Sequence, residues 1–146
     1  MSGATDTILD VNKAIVRGFF DALNRRAFQH ALNMVGENAG WWSLTSRRAK
    51  PVRDSVARIR SLASTLTDNG LTFEVATVTA EQDRIAVTAT SHAEFTDGRV
   101  YNNHYHFLFR IQDALITNIR EYHDTAHANE VLRAPSNRSA RGDTPC

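Results

Sequence analysis

Glu121 and His123 stand one residue apart in the run Arg120-Glu121-Tyr122-His123-Asp124-Thr125. Residues i and i+2 of a strand leave it on the same side, so the carboxylate and the imidazole would share one space. If that space is the interior of a sheet, the pair suits acid–base chemistry or the binding of a polar ligand group. His92 and Glu94 repeat the spacing on an earlier candidate strand, and convergence of all four would bring two carboxylates and two imidazoles to one cavity. Each also has a plainer reading. Glu121 could form a cross-strand ion pair, His123 could be a packed histidine, and His92 and Glu94 could share a solvated face with Thr88 and Thr90. Asp124 reads as a helix N-cap rather than a catalytic acid.

Asn103 and Tyr105 alternate with Phe107 and Phe109 on one face, read as concave, where they would orient a substrate oxygen. Trp41, Trp42, Phe19 and Phe20 are the candidate apolar walls, although one face of the first helix must also fill the core. His104 and His106 have spacing that can ligate a metal together with His92 or Glu94, but they fall opposite Tyr105, so no metal is expected. No phosphate loop, nucleotide fingerprint or nucleophile elbow is present, and no cofactor is expected.

The elements that must position these residues follow from periodicity. Helical spacing of Ile8, Val11, Ile15, Phe19, Ala22 and Leu23 predicts a helix from Asp6 or Thr7 to about Asn24, after an irregular start at residues 1–6. A short second helix over Ala27–Val35 is ended by Gly36-Glu37-Asn38, and a short strand follows at Gly40–Leu44. Ser46–Lys50 reads as a basic loop, and Pro51 opens a third helix carrying Val52, Val56, Ile59, Ala63 and Leu66. From Leu71 the period falls to two, predicting strands at Leu71–Thr79, Arg84–Thr96, Val100–Ile111 and Leu115–His123, then a helix at Thr125–Leu132. The fold class is α+β, with a curved antiparallel sheet packed on N-terminal helices. Residues 1–132 read as one domain and 133–146 as a disordered tail.

A length of 146 residues suits one domain with a real core, and 42% hydrophobic with 23% charged residues is ordinary for a soluble protein. A net charge of +1 gives no electrostatic case for nucleic acid or a membrane surface as partner. The lone Cys146 cannot form an internal disulfide, and Met1–Asp10 lacks a basic start with an apolar run, so a cytoplasmic protein is expected.

The segments Lys13–Asn24, Tyr101–Ile111 and Ile119–Thr125, with Trp41-Trp42 at the first strand, resemble SnoaL-like proteins of the nuclear transport factor 2-like, or ketosteroid isomerase-like, superfamily. The resemblance covers about residues 8–132. It implies a cone in which the curved sheet wraps a long helix around an internal pocket, and a homodimer. It puts Phe19 and Ser43 where steroid isomerases have a tyrosine and an aspartate base, which argues against that reaction. Epoxide hydrolases of this fold use an Arg-x-Asp pair and a further Asp, for which the nearest residues are His92-Ala93-Glu94 and Glu121. Polyketide cyclases of the SnoaL type use an acid on the last strand, matched by Glu121, with polar neighbours matched by Asn103 and Tyr105. The implied function is a cofactor-independent cyclase, isomerase or dehydratase acting on a hydrophobic organic molecule. The alternatives are a non-catalytic binding or dimerising module, and an epoxide hydrolase-like enzyme.

Overall fold

Val16, Phe19, Phe20 and Leu23 form one apolar stripe at helical spacing, and all four are buried on the long helix that opens the fold. A computed structural model describes residues 2–132. The expected tail and Cys146 lie outside the described residues. The elements are α1 (Ser2–Asn24), α2 (Phe28–Asn33), β1 (Val35–Ser43), β2 (Arg48–Pro51), α3 (Val52–Leu62), β3 (Thr72–Glu81), β4 (Arg84–Glu94), β5 (Val100–Tyr101), β6 (His104–Gln112), β7 (Leu115–His123) and α4 (Thr125–Leu132).

The strands form one curled sheet in the order β2-β1-β7-β6-β4-β3, with β5 beside β4, packed on the N-terminal helices as a cone. Neighbours are antiparallel except β1 and β7, which run parallel. The core is an aromatic cluster where Phe19 and Phe20 of α1 meet Phe107 and Phe109 of β6, with ring centroids 5.1 to 6.0 Å apart. Such pairs add roughly 0.5–1.5 kcal/mol each beyond the burial of their area. The Asn24 side chain fixes the end of α1 to β3, donating to the Phe73 carbonyl at 2.8 Å and accepting from its N–H at 2.7 Å.

Four local expectations fail for identifiable reasons. Residues 2–6 belong to α1 instead of an irregular start. Gly36-Glu37-Asn38, expected as the break after a helix reaching Val35, instead lies in β1, because α2 already ends at Asn33; the register against β7 shifts between Val35 and Gly40. The basic loop over Ser46–Lys50 is a tight turn with Arg47 at φ 56°, followed by the edge strand β2. The expected strand Val100–Ile111 is broken at Asn102 and Asn103, leaving the two-residue β5.

Candidate active site

The turn between β6 and β7, together with the register shift beside it, decides which side chains face inward. Asp113 and Ala114 both have positive φ, at 51° and 62°, and make a two-residue connection with Gln112 paired to Leu115. The register shift at Arg110/Ile111 then moves the pairing by one residue, which sets Phe109 opposite Ile119, Phe107 opposite Glu121 and Tyr105 opposite His123. Directly opposed residues share a face, and Tyr105, Phe107 and Phe109 are buried, so Glu121 and His123 turn inward.

The Glu121 carboxylate is held from two sides. Trp41 donates its indole N–H to Oε1 at 2.9 Å, and His123 Nδ1 lies 2.9 Å from Oε2. The Nδ1 contact is within ion-pair range but out of line for a hydrogen bond. On the far side of the ring, His123 Nε2 meets the Thr45 hydroxyl. A nitrogen against a carboxylate oxygen carries the hydrogen, so Nε2 accepts from Thr45. The His123 side chain is 2% exposed and that of Glu121 17%, whereas Thr45 is exposed. The trio therefore runs from a half-buried acid to solvent.

Behind a second part of the wall runs a chain of buried hydroxyls. The Asn103 N–H donates to Ser91 Oγ at 3.2 Å, Ser91 Oγ meets Tyr105 Oη at 3.0 Å, and Tyr105 donates to Tyr101 Oη at 3.0 Å. Asn103 Nδ2 also donates to Tyr101 Oη, at 3.0 Å. If the chain ran the other way, the buried Ser91 hydroxyl would have no acceptor among the described residues. Run forwards, it leaves only the Tyr101 proton unassigned, and Tyr101 lines a cavity. Burial pushes the Tyr101 phenol above its ordinary value, opposed by the hydrogen bonds it receives from Tyr105 and Asn103, and burial pushes Tyr105 up as well. Both phenols stay protonated at neutral pH, so Tyr101 is a fixed donor.

The cavity has a volume of about 770 Å³, and Glu121, His123, Tyr101, Tyr105 and Trp41 are among the residues that line it. Its apolar wall includes Phe73, Phe95, Leu66 and Leu71, which makes it a site for a small hydrophobic molecule. Other sequence candidates fall elsewhere. His92 and Glu94 do not join Glu121: they pair with each other at 3.2 Å on the outer face, 52% and 47% exposed, because Ser91 and Ala93 take the inward positions of β4. The expected four-residue convergence does not form. Phe19 and Phe20 are core and do not line the cavity. Trp42, one residue past the inward Trp41, is turned to the outer face, where its ring lies tilted against Tyr122 and under the Arg120 guanidinium. Asn103 is 1% exposed and spends all its hydrogen-bonding capacity on the protein: Oδ1 accepts from the N–H of His104 and Asp124, and Nδ2 donates to Tyr101 and the Asp124 carbonyl. It pins Tyr101 and does not line the cavity. Asp124 caps α4 through the His127 N–H at 3.1 Å.

Sequence reasoning passed over Tyr101 and Thr45, and also Arg48, Lys50 and Arg58 in the wall. Alternation back from Tyr105 and Asn103 would have found Tyr101. Among the described residues, no group of three or more His, Cys, Asp or Glu is placed to hold a metal ion, and no helix is long and apolar enough to cross a membrane.

The profile of the SnoaL-like domain matches residues 16–119. No curated protein matches the chain in sequence. Among solved structures, PrhC from Penicillium brasilianum superposes with a TM-score of 0.78 at 15% identity, over 90% of this chain and 92% of that one. An epoxide hydrolase of the LEH-like type from M. tuberculosis gives 0.71 at 16% identity, over 91% and 98%. IdmH from Streptomyces antibioticus, provisionally assigned as a polyketide cyclase, gives 0.70 at 12%, over 84% and 98%. At these identities the likeness is one of fold.

Proposed function

Because the chain belongs to the SnoaL-like domain family, with the fold of the NTF2-like superfamily, we propose that it is an acid–base enzyme acting beside a carbonyl of a hydrophobic molecule, as a cyclase, isomerase or dehydratase does. The observation that carries this is the pairing of a half-buried carboxylate with a phenol whose proton has no acceptor among the described residues, in one cavity with an apolar wall. Glu121 takes a proton from the carbon next to the carbonyl. The oxygen that gains charge is held by the Tyr101 O–H, a donor already fixed by Tyr105 and Asn103. Trp41 keeps the carboxylate in one orientation, His123 stands against its other oxygen, and the proton Glu121 takes is returned to the substrate or exchanged with water entering the cavity.

The names of the superposed structures support this class and a neighbouring one. IdmH points to cyclisation, while the epoxide hydrolase points to activated water. A water held between Glu94 and Glu121 is ruled out here, since those carboxylates lie on opposite faces of the sheet. The test is incorporation of deuterium from D2O next to the carbonyl of 2-tetralone, a bicyclic hydrophobic ketone. Acceleration by the wild-type protein over buffer is the expected result. Exchange no faster than buffer, with the ketone bound, would favour a non-catalytic ligand-binding module.

A further inference from the structure

One wall of the cavity has no role in the proton transfer above, and it is cationic. The antiparallel pairing of β1 with β2 sets Trp41 against Lys50 and Ser43 against Arg48. Opposed residues of such a pair leave the sheet on the same side, and Trp41 and Ser43 face the cavity. Lys50 and Arg48 are therefore turned towards it, and both line it. α3 adds Arg58, one turn after Asp54 on the face that also carries Ile59 and Leu62.

Arg48, Lys50 and Arg58 set three fixed positive charges in the lining against the carboxylates of Asp54 and Glu121. Glu121 is already engaged by Trp41 and His123. None of the three cations is in an ion pair among the described residues, although Asp54 lies four residues before Arg58. Charge on an edge strand such as β2 also discourages edge-to-edge association. That explanation needs only charge, not charge turned to the cavity side, and it leaves out Arg58 on a helix.

We propose that the ligand of this cavity is an amphipathic organic acid, with a ring-sized hydrophobic body in the interior and one carboxylate held at the mouth by Arg48, Lys50 and Arg58. The guanidinium fork matches a planar carboxylate, and Asp54 in the same wall disfavours a doubly charged group. With the carboxylate on the cationic wall, Tyr101 stays free for the reacting oxygen. What happens to the bound acid rests on the acid–base reading above; the binding itself does not.

Calorimetric titration with naphthalene-2-carboxylate, its neutral counterpart naphthalene-2-carboxamide and 2-naphthyl phosphate separates the cases. The carboxylate is expected to bind at least about tenfold more tightly than the carboxamide at low salt, with the preference shrinking as salt is added. Arg48→Gln with Arg58→Gln removes the preference while carboxamide affinity stays within about twofold, which also reports that the variant has folded. Equal affinity for carboxylate and carboxamide, binding of neither, or a preference that survives the double substitution would overturn the proposal. Tighter binding of the phosphate would overturn the choice of carboxylate. A retained preference in a protein that exchanges no deuterium into 2-tetralone would fail the acid–base reading alone.

Discussion

The core end of the cone and its cavity end are built from the same two strands. Towards the core, the inward face of β6 and β7 carries Phe107, Phe109, Ile116 and Ile119, closed over by Phe19 and Phe20 of α1. Towards the cavity, the same face carries Tyr105, Glu121 and His123, and the neighbouring cover is Tyr101 with α3 and α4. Alternation decides which face a side chain takes, but distance along the strand decides whether it meets a dry aromatic cluster or a polar cavity. One end therefore supplies stability and the other supplies fixed donors and an acid.

The comparison is broken most severely by Phe107→Ala. This removes a fully buried ring touching Phe20, Trp41 and Phe73, and unfolding free energy should fall by about 3–5 kcal/mol, read from the urea midpoint. At the other end, Tyr101→Phe should slow deuterium exchange into 2-tetralone by about a hundredfold, equivalent to about 2.7 kcal/mol in the barrier, with a smaller effect on stability. Asn103→Ala joins the two ends. It strips the pin between β5, β6 and α4, so stability should drop by about 1–3 kcal/mol and exchange should slow because Tyr101 loses a donor. The smallest effect belongs to the outer face, where His92→Ala combined with Glu94→Gln should leave exchange within about twofold of wild type, as for an exposed pair. A large loss there would mean that these residues reach the site after all.

The inward face of β6 was legible in the sequence, because Tyr105, Phe107 and Phe109 alternate cleanly. The phase of β7 was not, since the tight turn alone would face Phe107 with Arg120 and only the register shift at Arg110/Ile111 brings Glu121 and His123 inside. The closing helix was legible for a similar local reason, since Asp124 is a strong cap and α4 spans Thr125–Leu132 as expected. His92 and Glu94 misled because residue type was weighed above phase, although Ile85, Val87 and Ala89 already put the odd positions of β4 inside. The cationic wall was hidden for another reason. Arg48 and Lys50 acquire a direction only when β2 pairs with β1, and a four-residue strand with every residue exposed has no hydrophobic pattern to announce it. Asn103 looked like a ligand group because its type and face fit, but its four internal hydrogen bonds go to its chain neighbours Tyr101 and His104 and to Asp124, which only folding brings beside it.

The most direct test of the central claim compares Glu121→Gln with wild type in the 2-tetralone exchange reaction, with thermal unfolding as the folding control. The substitution keeps an acceptor for Trp41 and removes the base. If Glu121 carries the proton, exchange falls by at least about a hundredfold while the folded protein persists. A folded Glu121→Gln protein that exchanges as fast as wild type would contradict the account.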